Sequence, residues 1–471
     1  MASRALVLLA AVIIAFLLLL SPAYAARPAD RHSKPEAAHH RKFGQKTWTQ
    51  FGQHRAAAGH RKLGQIETTE LPSPEISTDQ VQVDVVSHGA VGDGESDDTP
   101  AFMEAWASVC SSSTPATLIV PKEKTFLLKQ TVFSGRCNST VTFKLDGKLV
   151  APATRSESDW GKGNNRRWIM FSKVDGLTVT GDGTIDGSGE IWWKKSCRVD
   201  KNLPCTGAPT ALLLYKCNNL TVENIRLLNS QQMHMSVEDC KDVVLKRVRI
   251  TAPGDSPNTD GIHIARTKDI QVIDCDIGTG DDCMSIETGT ENLYASGVTC
   301  GPGHGISIGS LGDDNSEARV SNITIYKARL TGTTNGARIK SWQGGRGYAR
   351  DITYEDMVME DVKNPIILDQ NYCTMADPLR PKPCEKQDSA VEFSGIRFKN
   401  IRGTSATKQA IKLDCSDAVP CHDILLQDVK LTFNGRPQRH RGRSAHRSTT
   451  TSLCNNVQLQ TLDNVDPKIA C

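Results

Sequence analysis

The sequence predicts an all-β chain wound as a right-handed parallel β-helix, a solenoid of short strands, with a short capping helix at its N-terminal end. Three observations predict it. One type of segment recurs, as "NLTVENIRLLNS" at 219, "DVVLKRVRITAP" at 242, "DIQVIDCDIGTG" at 269, "NLYASGVTCGPG" at 292, "NITIYKARLTGT" at 322 and "DITYEDMVMEDV" at 351. Their starts are 23, 27, 23, 30 and 29 residues apart, the spacing of single coils in a repeat architecture. The segments are rich in β-branched residues and separated by Gly, Asn and Pro turns instead of hairpin signals. Further copies begin at 176, 395 and 423.

In chain order, residues 1–25 combine Arg4, an apolar run from Ala5 to Leu20 and the small-residue pattern Ala23-Tyr24-Ala25. That composition is expected of a signal peptide cleaved after Ala25, not of a membrane anchor, because the run is short and lacks a basic stop. Residues 26–80 read as a basic low-complexity leader or propeptide, with the near-repeat "HRKFGQ" and "HRKLGQ". Its five histidines lack Cys or carboxylate partners at ligand spacing, so a solvated tail is expected there and not a metal site. Residues 81–471 form the β-helix domain. It opens on a helix that Asp97 or Asp98 caps and that runs toward Cys110, and it is interrupted by a basic low-complexity stretch at 436–452. That stretch suits a solvated loop or a contact with an acidic polymer.

Composition narrows the function. The net charge of +3 averages a basic leader, with nine Lys/Arg against two acids in residues 26–66, against a nearly neutral remainder. The domain is therefore not a bulk nucleic-acid binder. No later run is long enough to span a membrane, and a soluble, monomeric, secreted protein is expected. Fifteen cysteines imply disulfides in an oxidising compartment with one left over. Asn138, Asn219 and Asn322 stand in glycosylation sequons.

The later strand of each coil carries the chemistry. "DGIHI" from Asp260, "DCMSI" from Asp282, "HGISI" from His304 and "NGARI" from Asn335 align in register. Stacked coils lie about 4.8 Å apart, so Asp260, Asp282 and His304 form one column. Ile262, Met284, Ile306 and Ala337, then Ile264, Ile286, Ile308 and Ile339, face the core. His263, Ser285, Ser307 and Arg338, then Ala265, Glu287, Gly309 and Lys340, face out. Strict alternation would drive the carboxylates inward at prohibitive cost, so a turn or bulge is expected at Gly261, Cys283 and Gly305. That bend turns the column toward a wet cleft that Asp281 shares. Each residue alone has an ordinary reading as a turn, cap or solvated face. Together, three acids, a histidine and a basic pair suit glycosidic hydrolysis, which needs one protonated acid and one carboxylate that activates water. Repulsion within the cluster supplies the raised pKa.

The blocks "SPNTDGIHI", "GTGDDCMSI", "CGPGHGISIGSLG" and "ARIKSWQGG" resemble the signature blocks of plant polygalacturonases, glycoside hydrolase family 28. The resemblance extends over most of residues 81–433, including "GAVGDGESDDTPAF" and "PIILDQNYC". It implies hydrolysis of α-1,4 linkages of polygalacturonic acid with inversion, and neither a metal nor an organic cofactor. It also implies roles: Asp281 as general acid, Asp260 and Asp282 holding the attacking water, and His304 supporting the acid. Arg338 and Lys340 would bind a galacturonate carboxylate, with Asn258 and Tyr372 as further substrate contacts. It suggests bridges Cys283–Cys300, Cys373–Cys384 and Cys415–Cys421. The leader and the Arg-rich stretch lie outside the signature. Two other readings use the same residues: a calcium-dependent pectate lyase on a β-helix, and a non-catalytic pectin-binding wall protein.

Overall fold

The computed structural model describes residues 80–162, 166–373, 386–435 and 449–471. The signal peptide, nearly all of the leader, Cys384 and most of the basic stretch lie outside them. Each central coil contributes three short strands. One coil is Lys241–Lys246, Arg249–Thr251 and Ile262–Ala265, and the next is Lys268–Ile273, Asp276–Gly278 and Met284–Ile286. The first two strands of a coil join a 22-stranded sheet and the third joins an 11-stranded sheet. Among the described residues every pairing is parallel, each strand on its counterpart one coil away, as Lys241 on Lys268 and Lys268 on Glu291.

The recurrence read from the sequence is this ladder. Asn218, Lys241, Lys268, Glu291, Ser321 and Arg350 stack in one column. The residue after each, Asn219, Asp242, Asp269, Asn292, Asn322 and Asp351, has a left-handed backbone with φ between 49° and 60°. Asn and Asp tolerate that conformation because their short polar side chains bond locally, which is why they punctuate the repeat. Here they also bond between coils: Asn322 Nδ2 donates to Asn292 Oδ1 and Asn292 Nδ2 to Asp269 Oδ1, both at 2.8 Å. The three sequon asparagines are exposed.

The core fills the coil interior. The two apolar columns of the later strand are fully buried, from Ile262, Met284, Ile306 and Ala337 to Ile264, Ile286, Ile308 and Ile339. At the N-terminal end the predicted helix is Thr99–Cys110, which buries Phe102, Ala105, Trp106 and Val109. Its cap divides the two expected acids. Asp97 Oδ1 accepts from Thr99 N at 3.1 Å, whereas the Asp98 carboxylate accepts from Val91 N and Gly92 N and so fixes the preceding loop.

Disulfides join Cys110–Cys137, Cys197–Cys205, Cys283–Cys300, Cys415–Cys421 and Cys454–Cys471. Cys373 is also disulfide-bonded. The expectation of one unpaired cysteine needs correction: Cys217, Cys240 and Cys275 are all free and buried. They occupy interior turn positions and pack as small hydrophobes, the commonest use of a buried thiol.

Candidate active site

The site lies on the third strands of successive coils. Ser285 pairs with His263 and Ser307, and Ser307 with Arg338, so the outward columns align as the sequence predicts. Alternation breaks where expected. Cys283 and Met284 both have zero exposure, two consecutive inward residues that turn Asp282 to the opposite face. The Cys283–Cys300 bridge holds that inward thiol. Gly261 occupies the equivalent position one coil earlier, where a Cβ would stand 2.4 Å from Ile277 Cγ2. At Gly280 a Cβ would fall 2.0 Å from the Ser256 carbonyl oxygen, so glycine lets the loop before Asp281 lie against the loop that carries Asn258.

The expectation that the acidic column opens to a wet cleft is wrong for two members. Asp260 is 8% exposed and Asp282 only 2%. Partners, not water, make the doublet tolerable. Asp282 Oδ1 accepts from Arg338 Nη2 at 2.6 Å and from Ser307 Oγ at 2.9 Å, and Oδ2 lies 3.4 Å from Lys340 Nζ. Arg338 Nε also donates to Ser307 Oγ. Buried charge is stable only when paired and hydrogen-bonded in this way.

Asp281 is more open, its side chain one-fifth exposed. His304 Nδ1–H donates to its Oδ1 at 2.9 Å, the Asp282 backbone N–H donates to the same oxygen, and Asn258 Nδ2 reaches Oδ2 at 3.4 Å. Burial pushes the Asp281 carboxyl up, but the hydrogen bond and charge of His304, with Lys340 and Arg338 nearby, outweigh it and hold the group below its ordinary value. Asp260 goes the other way. Burial, then the negative charges of Asp281 and Asp282, push it well above the usual carboxylate range. Tyr372 joins the group through Lys340, whose Nζ lies 5.2 Å from its ring centroid. The structure thus brings together all eight residues proposed from the sequence.

Other participants were not singled out there. His234 is fully buried, and burial pulls its pKa down to about 4. Ser230 N–H donates to its Nε2, so the proton sits on Nδ1 and is donated to the Asp260 carbonyl oxygen at 3.1 Å. Its neighbours in the chain carry no spacing signal for that role. Glu287 stands two coils from Lys340 in one outward column, with only Gly309 between them. Burial raises its carboxyl to about 7. Alternation had placed Glu287 on that face, and a glycine between opposite charges was the available signal.

Donor atoms of Asp281, Asp282 and His304 lie within 4.8 Å of one another, a set that could hold a metal. Against that use, Asp282 already faces two cations, which a divalent ion would have to displace.

Residues 110–461 match the family model described as glycosyl hydrolases family 28. The chain belongs to this family. It is 47% identical over 384 residues to polygalacturonase QRT2 of Arabidopsis thaliana, covering 81% of this chain and 83% of that one. It is 47% identical over 385 residues to polygalacturonase-2 of Solanum lycopersicum, covering 82% and 80%. Among solved structures it matches the polygalacturonase of Erwinia carotovora with a TM-score of 0.62 at 24% identity, covering 78% of this chain and 94% of that one. It also matches endopolygalacturonase I of Stereum purpureum, solved with two galacturonates, with a TM-score of 0.56 at 19% identity, covering 77% and 98%. The fold is the right-handed parallel β-helix of these glycoside hydrolases, and no helix among the described residues is long and apolar enough to cross a membrane.

Proposed function

We propose that this chain is a secreted, monomeric polygalacturonase of the plant cell wall that hydrolyses α-1,4-galacturonosidic bonds in the homogalacturonan of pectin with inversion. The observation that carries the mechanism is the unequal treatment of neighbouring carboxyls. Asp282 is pinned by Arg338, Lys340 and Ser307, while Asp281 is open and tied to His304. Both oxygens of Asp282 are engaged, which disfavours direct attack on a sugar and suits holding a water together with Asp260. The shortest spacing between Asp281 and Asp282, under 4.8 Å, is below the ~6.5–9.5 Å usual for inversion, so the engagement of Asp282 carries this reading and the spacing does not.

Asp281 acts as general acid. With no substrate bound its lowered pKa leaves it ionised, and the 2.9 Å hydrogen bond to His304 fixes the carboxyl that, once it takes up a proton, delivers it to the glycosidic oxygen. A bound galacturonate carboxylate neutralises Lys340 and Arg338, two of the cations that depress Asp281, and excludes water. Both changes raise its affinity for the proton. Arg338 keeps its Nη1 hydrogens for that carboxylate, and Lys340 is held only loosely at 3.4 Å. Asn258 and Tyr372 line the approach.

Incubation with polygalacturonate tests this reading. The expected result is new saturated reducing ends at a rate unchanged by chelator. Unsaturated products that vanish with chelator would instead identify a calcium-dependent lyase. A wild-type chain that binds every pectic polymer and cleaves none would identify a wall-binding protein.

A further inference from the structure

One outward column of the third strands runs His263, Ser285, Ser307 and Arg338, each stacked on the next. Its two serines reach the two carboxyls assigned to the attacking water. Ser307 Oγ donates to Asp282 Oδ1 at 2.9 Å, and Ser285, one coil earlier, hydrogen-bonds the Asp260 carboxyl. Each serine lies 25 residues after its acid, so a single contact repeats from coil to coil. Ser285 is 3% exposed and Ser307 is fully buried, so water does not substitute for either hydroxyl.

What stands behind the two hydroxyls differs. Ser307 Oγ accepts from Arg338 Nε at 2.9 Å, and that permanent cation also bonds Asp282 directly at 2.6 Å. Ser285 Oγ lies instead 2.9 Å from His263 Nδ1. A serine hydroxyl has one hydrogen. When it is given to an ionised Asp260, the oxygen keeps only lone pairs, so His263 Nδ1 carries the hydrogen of their bond. The result is a chain of donors, imidazole N–H to hydroxyl O–H to carboxylate.

That imidazole is an uncharged donor. Burial holds it below its ordinary pKa, with Glu238 and Asp282 opposing and Arg266 acting alongside. Both opposing acids are already matched. Glu238 accepts from Arg266 Nη2 at 2.8 Å and from Ser236 Oγ at 2.9 Å, and Asp282 faces Arg338 and Lys340. Asp260 is thus reached by a neutral chain, whereas Asp282 touches two cations. Of two carboxylates that share one water, the one with less positive charge beside it is the stronger base.

Resting on the polygalacturonase reading, we propose that His263 is a positioning residue for the hydrolysis: through Ser285 it aims Asp260 at the attacking water and leaves Asp260, not Asp282, to accept that water's proton. As the water oxygen bonds to the anomeric carbon, its proton passes to Asp260. The bond from that carbon to the glycosidic oxygen breaks, and Asp281 protonates the departing oxygen. Asp260 then loses its proton to solvent and Asp281 regains one, which restores the starting state.

The test measures kcat and KM on polygalacturonate across a range of pH. His263→Leu and Ser285→Ala, which break the chain at either link, should each lower kcat about tenfold with KM changed less than about twofold, and the double variant should lose no more than the worse single one. A carboxyl that has lost its donors is harder to ionise, so the deficit should be largest at acid pH and shrink as pH rises. His263→Asn, whose amide N–H replaces that of Nδ1, should recover most of the rate. Ser285→Ala leaves only a small gap and keeps the test open if His263→Leu does not fold. A deficit equal at every pH, losses that add in the double variant, or wild-type kcat in His263→Leu would overturn the assignment. Carbon-13 NMR of the Asp260 carboxyl, identified with Asp260→Asn, separates the two readings. If the parent chain does not cleave polygalacturonate yet this carboxyl titrates higher in His263→Leu, the activity reading fails and the coupling of His263 to Asp260 stands. A titration that His263→Leu does not move would sink the coupling whatever the parent's activity.

Discussion

Replacing Arg338 by Met would leave Asp282 buried with its strongest counter-charge removed. The side chains are 12% and 3% exposed and the pair is 2.6 Å apart, so solvent cannot compensate. Breaking such a pair costs about 3–5 kcal/mol. Ser307 and Lys340 remain on the carboxylate, which places the loss near the lower end, about 3 kcal/mol. In a domain of this size that lowers the thermal midpoint by about 5 °C. If the cost is the orphaned charge, Asp282→Asn in the same chain should recover part of it. The double variant should lose about 1.5–2 kcal/mol less than the two single losses together, read from denaturant midpoints for all four chains. Losses that add within about 0.5 kcal/mol would refute the reasoning, because Asp282 would then be stabilised by something other than Arg338.

Asp281→Asn should lower kcat on polygalacturonate by about 10²–10⁴-fold while oligosaccharide binding persists, measured by reducing-end release and calorimetry. Asp260 has a pKa above its unfolded value, so its contribution to stability is full below the ordinary carboxylate range and is lost as pH rises through the folded pKa. Asp260→Asn should therefore be inactive yet melt higher than wild type at pH 7, with the gap closing near pH 4; a lower melt at pH 7 would contradict this. Burial raises the Glu287 carboxyl to about 7, so Glu287→Gln should leave the thermal midpoint nearly unchanged at pH 4, raise it progressively as pH climbs from the ordinary carboxylate range to about 7, and keep that gain constant at higher pH. Opening the Cys283–Cys300 bridge with paired serines closes off a 17-residue constraint worth about 3 kcal/mol and should also reduce kcat, because the inward Cys283 holds the turn at Asp282.

Much of this was legible in the sequence because the solenoid writes its geometry as a period. The Asn and Asp residues at the coil starts occupy left-handed turns, and the paired isoleucines mark the interior. The parity break at Cys283 was legible too, since charge cannot follow the alternation inward. What misled was the source of compensation. Arg338 lies 56 residues from Asp282 and was read as facing the substrate, and only the stacked register shows that it also neutralises that buried carboxylate. The three free cysteines misled for a related reason: counting pairs says nothing of thiols used as core atoms. His234 was invisible because its role depends on backbone groups, which have no residue pattern.

Asp282 directs water in this mechanism and does not attack the sugar itself. Proton NMR of the first product formed from an oligogalacturonide, taken before mutarotation, reads this directly. The β-anomer appearing first is the predicted result, and the α-anomer appearing first would contradict it.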